Sequence, residues 1–191
     1  MNRGQARALE GVAAALLVVG AVVFALQSAV VTPLAASTTN QFLEDRQGTL
    51  ASDTLDTAAA AGELRGTVRY WNLTSRTFDG ARREGYVGGP PTAFGDTLRG
   101  ALGDRRVAYN VYVTYRAGNS SHATRGLVYQ GTPPDTATAA TTVVTLYDDD
   151  TLTAPANPNV TLGGTDGFYA PDAVSGPVYN VVEIRVVVWR A

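Results

Sequence analysis

The feature that most constrains this chain is a long apolar run close to its N-terminus. From Gly11 to Val31 the sequence holds 21 residues, of which only Gln27 and Ser28 are polar. As an α-helix this run would be about 31 Å long, close to the thickness of the hydrocarbon core of a bilayer. The sequence therefore predicts a transmembrane helix over residues 11–34, which Pro33 ends or kinks.

Three interpretations compete for this segment. Arg3 and Arg7 form a basic flank, as in a cleaved secretory signal peptide, but the apolar run is long for such a peptide and no A-x-A cleavage site follows it. The same arginines favour an uncleaved signal anchor with a cytoplasmic N-terminus, because cytoplasmic flanks are enriched in Arg and Lys. The third interpretation is a helix that packs against like helices in a filament.

A single carboxylate, Glu10, stands directly before the apolar run. Within a bundle of packed helices it would need a partner, such as a neighbour's α-amino group or an arginine, because an unpaired buried carboxylate is costly. At a membrane surface it would lie among the headgroups, alone or beside Arg7, at a much smaller cost. The charge by itself leaves both interpretations open.

The segment RGQARALEGVAAALLVV resembles the class III signal peptides of archaeal type IV pilin-like proteins, in which a short basic leader ending in glycine precedes a hydrophobic helix. The resemblance implies cleavage after Gly4, a new N-terminus at Gln5 and a role for Glu10 in assembly. Glu10 would be the sixth mature residue, whereas the family usually places its glutamate fifth. Together with the stretch VAYNVYVTYR, the chain is similar to uncharacterised haloarchaeal pilin-like membrane proteins, which implies an extracytoplasmic C-terminal domain and assigns no activity.

After the apolar run the sequence predicts further helices. Apolar residues recur at loosely helical spacing from Ser37 to Arg65, which indicates an amphipathic linker helix over residues 35–65. A second, short helix is predicted from Ala93 to Leu102 with Thr92 as its N-cap. Three apolar residues of that helix share one face and are expected to pack on a sheet: Phe94, Leu98 and Leu102.

The remaining pattern is that of β-strands separated by turn-rich loops. The stretch Gly66–Ser75 is predicted as a first strand or strand-like turn. Apolar residues at every second position from Val107 to Tyr115 predict a strand over Val107–Arg116, and two more follow in TRGLVYQG and ATTVVTLYD. Val178–Arg190 has apolar residues on both faces except at Asn180, Glu183 and Arg185, so we expect it to be a central strand.

These elements predict the α+β class: a long N-terminal transmembrane helix followed by a small antiparallel β-sheet head domain with a short covering helix. The predicted organisation is a cytoplasmic leader over residues 1–10, the transmembrane helix over 11–34, the linker helix over 35–65 and an extracytoplasmic head domain over 66–191. The expected location is the cell membrane, single-pass, with the N-terminus cytoplasmic.

The chain offers little for catalysis. It has no cysteine and one histidine, His122. The residues that a Cys–His catalytic dyad or a metal site with several histidine ligands would require are therefore lacking. His122 is expected in a solvated hairpin loop. The run Asp148, Asp149 and Asp150 lacks the alternating spacing and closing glutamate of a calcium loop, so we expect a solvated acidic turn. No catalytic, cofactor-binding or metal-ligating residue is predicted.

Three Asn-x-Ser/Thr triplets make Asn72, Asn119 and Asn159 candidate glycosylation acceptors. All three follow the apolar run, as an external domain would require, and Asn119 and Asn159 lie in predicted loops.

The function predicted from these features is non-enzymatic: a membrane-anchored, pilin-like surface protein that acts in filament assembly or adhesion. The alternative is a single-span anchored domain that binds a partner and does not polymerise, and an extracytoplasmic enzyme is a third. Membrane lipid and like subunits are the expected partners, with no cofactor. Nucleic acid is not expected, because the net charge of −2 provides no basic surface.

Overall fold

The computed structural model describes residues 3–103, 107–118 and 121–191, and within the first of these ranges it describes the side chains of 11–23 and 45–103. The chain forms two compact units, Met1–Leu43 and Glu44–Ala191. Helix α1, Arg3–Ala60, contributes to both units and includes the stretches predicted as the transmembrane helix and most of the linker helix.

Among the residues that the structure describes, no helix combines the length and the apolar character needed to cross a bilayer. The predicted transmembrane helix over residues 11–34 is therefore wrong, as is the predicted single-pass location in the cell membrane. The α+β class itself is retained.

In the second unit α1 buries one stripe of side chains. The buried residues follow the i, i+3, i+4, i+7 spacing of a helix with one core-facing side, and they are Ala51, Thr54, Leu55 and Ala58. The residues between them are polar and exposed, namely Ser52, Asp53, Asp56 and Thr57. This part of α1 is therefore amphipathic, as the sequence predicts for the linker helix.

A glycine separates α1 from a short second helix. Gly62 has a φ of 71°, in the left-handed region, and its N–H donates to the carbonyl of Ala59 at 3.0 Å. Helix α2, Glu63–Val68, follows at once. The strand predicted over Gly66–Ser75 is therefore wrong in its first part, and only β1, Trp71–Asn72, pairs with β2, Thr77–Phe78.

Helix α3, Ala93–Leu102, has the predicted bounds. Its predicted apolar face is confirmed, because Phe94, Leu98 and Leu102 are all fully buried. Thr92 occupies the N-cap position, yet its hydroxyl does not cap the helix. It instead shares a 2.8 Å hydrogen bond with the hydroxyl of Thr67, which joins the start of α3 to α2.

Four long strands form an antiparallel sheet. They are β3 (Val107–Arg116), β4 (His122–Val128), β5 (Thr138–Tyr147) and β6 (Val178–Arg190), in the spatial order β4-β3-β6-β5. The bounds predicted for β3 and β6 are confirmed, and β6 is central as expected. A short 3₁₀ turn, Leu162–Gly164, lies in the connection between β5 and β6.

One face of the sheet carries the core. Val182, Ile184, Val186 and Val188 of β6 are almost completely buried on that face. Their partners across the two ladders, on β3 and β5, point to the same side. These residues form one hydrophobic cluster with the buried stripe of α1 and the apolar face of α3. The opposite face of β5 and β6 is more open and includes Val143, at 61% exposure.

The two edges of this sheet differ. At the β4 edge, the N–H of Tyr86 donates to the carbonyl of Leu127, and the carbonyl of Tyr86 accepts from the N–H of Tyr129, both at 2.9 Å. Part of that edge is therefore covered by a neighbouring segment. Within the described part of the chain, β5 ends the sheet on the other side, and no strand pairs with its outer edge.

Candidate functional site

The N-terminal part of α1 contains a stretch of exposed apolar residues, Gly11–Val23, which we call the apolar stretch. All 13 of its residues are exposed, and none has a polar or charged side chain. Leu16 and Leu17 are 68% and 75% exposed, and the five valines are between 46% and 63% exposed. A continuous exposed apolar surface of this kind is typical of an interaction site.

The apolar stretch has a bulky side and a small side. At about 100° per residue, its five valines and Leu16 fall within an arc of about 160°. Leu17 lies on the other side, where the remaining residues are small: Ala13, Ala14, Gly20 and Ala21. Because neither side carries a polar group, no face of this helix segment is suited to water, in contrast to an ordinary amphipathic helix.

The residues singled out by the pilin-like resemblance precede the apolar stretch. Gly4, Gln5 and Glu10 lie within α1, and their side chains are outside the residues whose side chains the structure describes. Cleavage after Gly4 and a role for Glu10 in assembly therefore stay predictions.

The three candidate glycosylation sites lie in different settings. The Nδ2 of Asn72, the atom that would carry a glycan, donates to the Oδ1 of Asp79 at 2.8 Å, so modification there would break an internal hydrogen bond. Asn159 is exposed in a loop with a φ of 64°. Asn119 lies outside the described residues. Of the two described sites, Asn159 is the one whose geometry suits an acceptor.

The acidic run contains a structural ion pair that the sequence does not reveal. Asp150 lies 3.5 Å from Arg65 and 3.4 Å from Arg69, and its side chain is only 12% exposed. Arg69 also donates to the carbonyl of Thr151 at 2.6 Å. The expectation of a solvated acidic turn is therefore wrong for Asp150, which instead joins the loop after β5 to α2.

Burial dominates the electrostatics of this ion pair. It lowers the pKa of Arg69, and the neighbouring Asp150 carboxylate partly offsets that effect by favouring the charged guanidinium. Arg65 lies in α2 and Arg69 is the C-cap residue directly after it, so the two arginines are four residues apart and lie on the same side of the helix end. This spacing is the signal in the sequence, but the prediction of a strand at Gly66–Ser75 concealed it.

An aromatic cluster lies in the core beside β1. Trp71, Phe168 and Tyr169 contact one another edge-on or tilted, with ring centroids 4.2–6.4 Å apart. Tyr179 packs edge-on against Phe168 of this cluster, with ring centroids 6.0 Å apart. The hydroxyl of Tyr169 donates to the carbonyl of Val68 at 3.1 Å, and that of Tyr179 donates to the carbonyl of Ala170 at 2.8 Å. Burial raises the pKa of Tyr179 to about 12, so it stays neutral near neutral pH. These hydroxyls support the fold.

Two shallow depressions are present on the second unit. One, of about 430 Å³, is lined by exposed Arg82, Arg83 and Glu84 together with Tyr129 and Gln130. The other, of about 250 Å³, lies between the outer part of β5 and the end of α1 with α2. His122 is the exposed first residue of β4 rather than a loop residue. Among the described residues, no three His, Asp or Glu side chains are grouped so that they could hold a metal ion.

Comparison with known proteins places the chain in a family. A family model described as a family of unknown function, DUF7288, matches residues 3–188, so the chain belongs to the DUF7288 family. That description does not mention a pilin-like character. No curated protein and no solved structure matches the chain.

Proposed function

We propose that this member of the DUF7288 family is a non-enzymatic structural subunit that assembles with like subunits through the N-terminal part of α1, as type IV pilin-like proteins do. The observation that supports the proposal most directly is the apolar stretch Gly11–Val23, in which every side chain is exposed. Covering a Val or Leu side chain completely contributes about 1.5–3 kcal/mol, so several such residues together provide a strong tendency to associate.

The distribution of side-chain size around the apolar stretch favours like helices as the partners. The bulky arc of one copy can pack against the small side of the next, which fills space without voids. A contact between two different faces of the same molecule is heterologous, and repeated heterologous contacts produce rings or helical filaments. Several neighbouring helices would then cover the apolar stretch on all sides, whereas a single groove on a partner protein would cover only one side of it.

Three polar groups of the second unit take part in structural contacts, which supports a non-enzymatic role. Asp150 is paired with two arginines, and the hydroxyls of Tyr169 and Tyr179 are bonded to backbone carbonyls. These groups are therefore used in holding α2, the loop after β5 and the core together.

The proposal is tested by placing a charge in the apolar stretch. Wild-type chain, Leu17→Glu and Val87→Glu are compared by electron microscopy and by sedimentation over a range of concentrations. We expect fibres from the wild type and a loss of at least about 100-fold in assembly for Leu17→Glu, because an unpaired buried charge costs about 3–5 kcal/mol. Val87 is 58% exposed in the second unit and provides the matched control, which should assemble normally.

The residues of the pilin-like resemblance provide a second part of this test. Glu10→Ala should impair assembly without unfolding the second unit, and the mass of the mature chain shows whether it begins at Gln5. A wild-type chain that stays monomeric at every concentration would contradict the proposal and favour a binding domain that does not polymerise. Unchanged fibres from Leu17→Glu would also contradict it.

A further inference from the structure

The outer edge of β5 has the properties of a strand-pairing site. Over Thr138–Tyr147 the strand has ten residues, with no charged residue and no proline, and most are β-branched. Edge strands in natural proteins usually carry charges, prolines or a covering segment, which prevent pairing with another chain. The β4 edge has such protection in His122, Arg125 and the segment at Tyr86. Among the described residues, the main protection at the edge of β5 is the contact of Arg65 with the carbonyl of Thr145.

One contact marks which backbone groups of β5 point outward. The Nε and Nη2 of Arg65 donate to the carbonyl of Thr145 at 3.2 and 3.1 Å. In an antiparallel ladder the N–H and C=O of one residue point to the same side, and the side alternates along the strand. The outward-facing residues are therefore the odd-numbered ones, and three of them lie beyond the reach of this contact: Ala139, Thr141 and Val143.

We propose that this edge pairs with the β5 edge of a second copy of the chain, antiparallel about a two-fold axis, with Thr141 opposite Val143 of the partner. The choice of a like subunit as the occupant rests on the proposed function. The pairing would continue the sheet from one copy into the next and would cover Val143, which is 61% exposed.

Charges on the adjacent strand favour this register. On the open face of the sheet, Arg185 of β6 lies beside Thr141, and Glu183 lies beside Val143. With Thr141 opposite the partner's Val143, each transverse row of residues has an arginine at one end and a glutamate at the other. The alternatives that pair Thr141 with Thr141, or Val143 with Val143, would align like charges. The two charges in a row are about 14 Å apart, three strand spacings, so they select the register more than they add affinity.

The surface next to the edge has room for an added strand. A depression of about 250 Å³ adjoins β5 and is lined mainly by apolar residues, among them Ala59, Leu64, Val143 and Val144. Side chains that an incoming strand directs toward the core side of the sheet would enter this space. The edge, the charge rows and the depression thus lie together on the second unit.

Because the chain has no native cysteine, disulfide cross-linking can test the register directly. Full-length Thr141→Cys and Val143→Cys are prepared separately and oxidised alone or as an equimolar mixture. We expect cross-linked dimer from the mixture and at least about tenfold less from either variant alone, because only the opposed pair has a Cα separation of about 5.5 Å, within disulfide range. The matched control is the mixture of His122→Cys and Thr124→Cys, two exposed positions at the same spacing on β4.

Each outcome has a definite meaning. The proposal is overturned if the mixture gives no more cross-linked dimer than the β4 control. It is also overturned if Val143→Cys alone gives as much dimer as the mixture. Repeating the experiment in chains that also carry Leu17→Glu tests the β5 contact separately from the proposed function. Cross-linking that persists without fibres leaves the β5 contact standing, whereas fibres without cross-linking overturn the β5 contact alone.

A charge exchange tests the register by a second route. Glu183→Arg would align arginines in both rows and should lower the cross-linking yield about twofold, given the distance and screening. Adding Arg185→Glu restores opposite charges in each row and should restore the yield. If the single and double variants gave equal yields, the register assigned from the charges would be wrong.

Discussion

Helix α1 contains two apolar regions that use the same residue types and differ in what surrounds them. In the apolar stretch, Gly11–Val23, every side chain is exposed. In the second unit, Ala51, Leu55 and Ala58 are at most 1% exposed. The second region alternates its apolar residues with polar ones, so the sheet covers one side and water the other. The apolar stretch has no polar side.

The comparison shows that the residues between the apolar positions decide how a helix is buried. A helix with one apolar stripe buries that stripe by packing within its own domain. A helix that is apolar on all sides needs neighbours on all sides to bury its surface. Leucine, alanine and glycine occur in both regions of α1. Matched substitutions of the same residue type therefore test the difference directly, with the same chain as its own control.

The largest difference is expected for leucine. Leu55→Ala should lower the free energy of unfolding of the second unit by about 2–5 kcal/mol, because it opens a cavity in the core. Leu17→Ala should change it by less than about 0.5 kcal/mol, because Leu17 is 75% exposed. Urea unfolding followed by the fluorescence of Trp71 and Trp189, both at most 8% exposed, measures these changes.

A similar loss of stability in both leucine variants would contradict the comparison. It would mean that the apolar stretch also stabilises the second unit, contrary to its exposure. Sedimentation of the same variants gives the complementary readout, since Leu17→Ala is expected to weaken assembly and Leu55→Ala is expected to act on folding.

The sequence predicts well those elements whose pattern is strong and local. The bounds of β3, β6 and α3 are correct because alternation or helical spacing is sustained over ten or more residues between clear turn signals. The central position of β6 follows from its having apolar residues on both faces. For these elements, local propensity and tertiary packing agree.

The errors occur where distant residues decide the structure. The apolar residues Val68, Tyr70 and Trp71 suggest a strand. In the structure, Leu64 and Val68 are instead buried on one face of α2, and Arg65 and Arg69 pair with Asp150. No local pattern links α2 to a loop so far along the chain, so tertiary contacts override propensity there. The transmembrane prediction was based on the apolar residues counted over 11–34, whereas no helix among the described residues is both long and apolar enough to cross a membrane.

A smaller difference is expected for alanine. Ala51 is completely buried in the core cluster, so Ala51→Leu should overpack it and lower the free energy of unfolding by about 1–3 kcal/mol. Ala14 is exposed on the small side of the apolar stretch, and Ala14→Leu should leave unfolding of the second unit unchanged. Calorimetry of both variants provides the measurement. A stable Ala51→Leu variant would mean that the α1 stripe packs loosely against the sheet.

The smallest effect is expected for glycine, and its sign is reversed. A Cβ added at Gly48 would lie 3.9 Å from the Cβ of Thr138, an ordinary van der Waals contact that displaces nothing. Gly48→Ala should therefore raise the free energy of unfolding by about 0.5–1 kcal/mol, because alanine loses less conformational entropy than glycine in a helix. A Cβ at Gly20 meets no atom within 4 Å, so Gly20→Ala should not change the urea midpoint of the second unit. Destabilisation by Gly48→Ala would show that α1 approaches β5 more closely than this contact allows, and equal gains from both variants would show that the two regions of α1 unfold together.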